Sequence, residues 1–154
     1  MGLVDKTSNY VLFAILHCSQ FVLAVTVIGL YGTDLDRARK GGGFADGKWV
    51  YAIVVASLSA VTAILYLIPF VLRLAVVPVW SFILFVLWIA LFGLFGSIYI
   101  NESPHGDADI QRMKNAVWVD LANAFLWLIG TAAAAADWWF HRRRNSRFTG
   151  RAKL

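Results

Sequence analysis

At 154 residues, with 60% hydrophobic and only 15% charged positions, the chain is too apolar for an ordinary water-soluble domain, and its mean hydropathy of +0.67 agrees. The formal charge of +5 is concentrated near the C-terminus, which suits anionic lipid headgroups better than nucleic acid. Cys18 is the single cysteine, so an intrachain disulfide and a multi-cysteine metal site are both excluded.

Residues 1–9 are short and polar and carry Asp5 and Lys6. They lack the basic region and small-residue cleavage site of a secretory leader, so the first apolar run is expected to be a retained anchor. Lys6 stands where a myristoylation motif needs Ser or Thr. The first helix is predicted over residues 10–31, with a tyrosine at each end as interfacial anchoring requires. His17 and Gln20, three apart, share a face. Polar packing against a neighbouring helix is the simpler expectation for them, and a proton or ligand site the sharper one. Cys18 is expected to be a small apolar filler.

Residues 32–48 (GTDLDRARKGGGFADGK) read as a loop in which the charges of Asp34, Asp36, Arg37, Arg39 and Lys40 nearly cancel. The triple glycine completes no phosphate-binding pattern and follows no strand. The second helix is predicted over residues 49–69. Ala52, Ala56, Ser59 and Ala63 recur on one face of it and invite close helix–helix contact. Residues 70–77, between Pro69 and Pro78, read as a tight turn whose Arg73 snorkels to the headgroups.

The third helix is predicted over residues 79–100 and contains no charge. Phe85, Trp88, Phe92, Phe95 and Tyr99 form an aromatic row, and Ala90, Gly93 and Ser97 a row of small residues on the other side. The small row is expected to make helix–helix contact and the aromatic row to meet lipid or a partner chain, although aromatics merely filling space between helices is the simpler reading. The polar stretch 101–114 reads as a second loop. Its Asn101-Glu102-Ser103 sequon abuts the membrane and is followed by Pro104, which argues against glycosylation. His105, Asp107 and Asp109 there fit a solvated turn better than a metal site.

The fourth helix is predicted over residues 116–140, bordered by Arg112 and Lys114 before it and by Trp138, Trp139, His141 and Arg142 to Arg144 after it. Asp120 and Asn123 share a face inside it. A buried acid at this depth needs the bundle interior and a base, for which Lys48 and Lys114 are the candidates. His17 belongs to the opposite half of the membrane and is too far away to pair with Asp120. Asp137 is expected to be neutralised by the arginines that follow it. The expected organisation is a cytoplasmic segment (1–9), an all-α four-helix transmembrane domain (10–140) and a basic tail (141–154). Clustering of Arg142, Arg143, Arg144, Arg147, Arg151 and Lys153 favours both termini cytoplasmic, with Arg142, Arg143, Arg144 and Arg147 placed to contact anionic lipid.

Three stretches, residues 21–34 (FVLAVTVIGLYGTD), 48–70 (KWVYAIVVASLSAVTAILYLIPF) and 112–127 (RMKNAVWVDLANAFLW), resemble the MARVEL family, in particular its fungal branch. The resemblance implies a four-helix protein of membrane apposition, vesicle cargo sorting or lateral organisation of the plasma membrane, one that self-associates and favours particular lipid environments; sterol is an expected contact of the aromatic row. The resemblance brings no catalytic residues. The loop cysteine pairs of some relatives are absent here.

The expected function is therefore a non-enzymatic organiser of lateral membrane domains, vesicle cargo or a larger membrane complex. Its expected partners are membrane lipids and other membrane proteins or further copies of itself, in the plasma membrane or secretory-pathway vesicles. An accessory subunit of a larger membrane enzyme or channel is the alternative, and a small transporter or channel using Asp120 and His17 the weaker one. No nucleophile–base pair stands out, and no cofactor, metal or nucleic acid is expected. The ending Ala152-Lys153-Leu154 approaches a peroxisomal signal, an address that serves soluble cargo.

Overall fold

The computed structural model describes residues 3–42, 47–103 and 108–148, with side chains from residue 10 through 140 except that of Arg73. Four α-helices make up nearly all of it: α1 (Leu3–Lys40), α2 (Gly47–Tyr66), α3 (Val77–Tyr99) and α4 (Ala108–Phe148). Each contains a stretch long and apolar enough to cross a bilayer. The described residues form an all-α bundle whose four long helices are candidate membrane spans.

The helices end where their sequence stops them, and not always where the apolar run stops. The loop expected over 32–48 is helical as far as Lys40. The helix absorbs Gly32 and meets no proline or paired glycine before Gly41 and Gly42, Asp36 pairs with Lys40 one turn on at 2.6 Å, and Arg37, Arg39 and Lys40 complement the negative end of the helix dipole. Gly42, with φ of 72°, then closes the helix in a conformation open to glycine. At the other polar stretch, α4 begins at Ala108, so Asp109, Arg112 and Lys114 are helical too.

Helix α2 finishes at Tyr66, short of Pro69, because a proline disfavours helical backbone just before it. The chain tightens there through Leu67 N–H to Ile64 O (3.1 Å) and Ile68 N–H to Leu65 O (3.1 Å), then makes a single 3-10 turn at Val71–Arg73. Pro78, in the first turn of α3, costs no hydrogen bond. The last helix continues through Phe148, carrying the backbone of Arg142, Arg143, Arg144 and Arg147 with it. The side chains of these arginines and of Arg73 lie outside the described residues, as do His105, Asp107 and residues 149–154.

Neighbouring helices run antiparallel. Along α1 and α4 the contacts appear in reverse order: Asp34 meets Arg112, Tyr31 meets Asp120, and Gln20 meets the Leu126 carbonyl. The closest approaches are α1 with α2 and α3 with α4. Ala52, Ala56, Ser59 and Ala63 are all buried, as the small-residue row on α2 required. Gly96 sits at the α3–α4 contact, where a side-chain carbon would meet Val117 at an ordinary 3.8 Å and the Ile100 side chain at a tighter 3.3 Å. Gly130 sits likewise at the α4–α1 contact, with Gln20 at 3.4 Å and Leu16 at 3.7 Å from that position.

Helices α2 and α3 touch less along their backbones, and large side chains bridge them. Trp88 Nε1–H donates to Ser59 Oγ (2.8 Å), Trp80 Nε1–H to Thr62 Oγ1 (3.1 Å) and the Tyr51 hydroxyl to the Leu87 carbonyl (3.0 Å). This reverses the faces expected for α3. Trp88 and Phe95 are fully buried, and Phe85, Phe92 and Tyr99 pack against the core. Ala90, Gly93 and Ser97 are exposed on the outside of the bundle, and a side chain at Gly93 would meet nothing within 4 Å. Trp80 and Trp88 cross the α2–α3 gap to hydroxyl acceptors on α2, and Phe95 lies against Tyr31 of α1, so the aromatic row goes in and the small row goes out. Cys18 is also outward-facing rather than a filler between helices.

Candidate functional site

The interior polar groups lie mainly on α1 and α4. His17, Gln20, Asp120 and Asn123 are all buried, although none is apolar and the surrounding helices are long and apolar enough to span a membrane. Their positions follow from helical spacing. Asp120, Asn123 and Trp127 succeed one another at intervals of three and four on the inner face of α4, one residue for each turn. On α1, His17, Gln20, Ala24, Val27, Tyr31 and Asp34 repeat the same intervals on its buried face.

Among the described residues no base bonds to Asp120. The Tyr31 hydroxyl donates to its Oδ2 at 2.6 Å, and Tyr31 stacks on Phe95 with ring centroids 4.4 Å apart. The expected pairing with Lys48 or Lys114 is replaced by this neutral donor, because both lysines lie at the polar ends of their helices while Tyr31 is level with the acid. Tyr31 reads in the sequence as an interfacial anchor, and its spacing from Gln20 and Asp34 is the only clue that it faces inward. The other carboxyl oxygen, Oδ1, has no partner among the described residues, and neither do Nδ2 and Oδ1 of Asn123 or Nε1 of Trp127. In hydrocarbon such atoms have no outside solvent to turn to.

A second polar layer lies farther along the bundle. His17 Nδ1 and Gln20 Oε1 are 2.7 Å apart, and Gln20 Nε2–H donates to the Leu126 carbonyl of α4 at 3.1 Å. This is the cross-helix packing expected of the pair. The His17 ring meets the edge of Tyr66 at 5.2 Å between centroids, and Tyr66 in turn faces Trp127 at 6.2 Å. Tyr31 is about 21 Å from His17 along α1, so the Asp120 and His17 layers remain separate.

The bundle end nearer Asp120 is closed by charge. Arg112 of α4 pairs with Asp34 of α1 and, one turn back on its own helix, with Asp109 at 2.9 Å. Arg37 of α1 also pairs with Asp109. Asp34 is mostly buried, and its Oδ2, like Arg112 Nε, has no partner among the described residues. Because both helices outrun their apolar segments, the residues expected to be a solvated loop form instead an ion-paired clamp between α1 and α4. Among the described residues no cluster of three or more His, Cys, Asp or Glu side chains could hold a metal ion.

Comparison with family models, with curated proteins and with solved structures finds no match to this chain. The MARVEL resemblance therefore rests on the three apolar stretches alone.

Proposed function

We propose that the protein is a non-enzymatic, MARVEL-like membrane organiser, acting through contact with lipid and with further membrane helices, its own copies included. The observation that carries this reading is the outer face of α3. Ala90, Gly93 and Ser97 leave a shallow strip on the outside of the bundle, flanked by outward-facing Val86 and Ile89. Small residues facing away from their own bundle suit close approach by a helix of another chain. With both termini cytoplasmic, Arg142, Arg143, Arg144 and Arg147 would lie beside the inner leaflet. Each basic residue near an anionic surface contributes about 1 kcal/mol, so the group would hold the C-terminal segment to the membrane.

Extraction into native lipid nanodiscs followed by intact-mass measurement tests this reading. A homo-oligomer, or a complex with a second membrane protein, is the expected result; the second outcome identifies an accessory subunit. A lone monomer at native abundance defeats it. Replacing the four arginines with glutamine should weaken binding to anionic vesicles, and unchanged binding would remove the lipid-contact part of the proposal.

A further inference from the structure

The carboxyl of Asp120 is fully buried within a membrane span, and its only described partner is a neutral hydroxyl. A bare carboxylate there is costly, so the group needs a cation or a proton. Along α4 the cations before the acid are Lys114, half-buried near the polar end of the helix and not bonded to either carboxyl oxygen, and Arg112, already engaged by Asp34 and Asp109. A metal ion would ask for several more oxygen ligands than one carboxyl, one amide and one phenol supply. A proton asks for one.

The unpartnered atoms around the acid indicate how such a proton would be held. Asp120 Oδ1 and both polar atoms of Asn123, one turn away on the same face, are buried without partners. One donor group and two acceptors at adjacent positions suit a small hydrogen-bonding guest, and water is the one that can both donate and accept. Beyond Tyr31 on α1, the next polar atoms toward the helix ends are Asp34 Oδ2 and, across from it, Arg112 Nε, again without partners. We propose that Asp120, Tyr31 and Asn123 form a hydrated intramembrane site binding one exchangeable proton, reached from the bundle end that carries Asp34 and Arg112. On binding, the proton joins Asp120 Oδ1 while Oδ2 continues to accept from Tyr31; the carboxylate becomes neutral and no other bond changes. The titratable and charged groups toward the site are Tyr31 and Asp34 on α1, Tyr99 on α3, and Lys114 and Arg112 on α4. The buried face of α2 near this end (Ala52, Val55, Ala56) contributes none. The inference does not depend on the organiser function.

Infrared difference spectroscopy of the full chain in lipid nanodiscs tests it, with aspartate carrying 13C at the carboxyl. The expected result is a protonated-carboxyl band that shifts when H2O is replaced by D2O and disappears in Asp120→Asn. Tyr31→Phe keeps the acid and should move the band, which preserves the assignment if Asp120→Asn does not fold. Arg112→Gln should speed the deuterium shift. An Asp120 ionised at every pH examined, a band that never shifts in D2O, or a band indifferent to Tyr31→Phe would overturn the site. An exchange rate unchanged by Arg112→Gln would overturn the route.

Discussion

Two interfaces of the same bundle solve the problem of polar groups in lipid in different ways. Between α2 and α3, each bridging donor is neutral and meets a neutral acceptor: Trp88 with Ser59, Trp80 with Thr62, and Tyr51 with the Leu87 carbonyl. Between α1 and α4, the groups are an acid, an amide, an imidazole and a charged clamp, and their partners do not balance. Asp120, Asn123, Trp127 and His17 all retain buried atoms without partners among the described residues. A matched interface contributes only to holding the fold together. An unmatched one costs stability unless something else occupies it, and so it marks where chemistry could reside.

The largest effect should come from the matched side. Trp88→Ala removes a fully buried indole and leaves Ser59 without its donor, and it should lower unfolding free energy by about 3 kcal/mol in reversible unfolding from lipid–detergent micelles. A loss below about 1 kcal/mol would mean that α2 and α3 do not depend on the aromatic bridge. On the unmatched side, Gly130→Leu forces a branched side chain toward Gln20 and Leu16 and should cost about 2 kcal/mol by the same measurement. A stable variant would say that α1 and α4 are farther apart than their contacts imply. Tyr31→Phe, which deprives Asp120 of its only described partner, should cost about 1 kcal/mol. If that substitution is neutral, the water proposed at Oδ1 serves both oxygens and the contrast between the two interfaces weakens.

Much of the bundle was legible in the sequence because lipid imposes one dominant rule: long apolar segments become spanning helices. The same rule placed His17, Gln20, Asp120 and Asn123 inside, since an acid, amide or imidazole at that depth cannot face hydrocarbon cheaply, whereas a hydroxyl such as that of Ser97 can bond to its own helix. It could not orient α3, which is apolar all round. Its aromatic and small rows are equally at home in lipid, and the outcome turned on whether α2 offered acceptors for Trp80 and Trp88. Nor could the rule find the clamp. Asp34, Arg37, Asp109 and Arg112 look like loop residues because hydropathy stops where the hydrocarbon stops, whereas helical backbone stops only at a breaker, here Gly41 and Gly42. Tyr31 was hidden for a related reason, because a tyrosine near the end of a span reads as an anchor at the interface.

The smallest expected effect on folding is at Gly93, and it separates the two uses of small residues. Gly130 is small because another helix of the same chain lies against it; nothing within 4 Å would meet a side chain at Gly93. Gly93→Leu should therefore leave the stability of the single chain within about 0.5 kcal/mol of the original, since it adds a side chain on the lipid-facing surface. If the strip formed with Ala90 and Ser97 receives a helix of another chain, the same substitution should remove or diminish the higher-mass species released from native nanodiscs. A variant with both its stability and its oligomer distribution intact would show that the strip meets only lipid, and the organiser reading would lose the face that carries it. A variant that unfolds would place Gly93 inside the bundle, returning the small row of α3 to the role that its spacing first suggested.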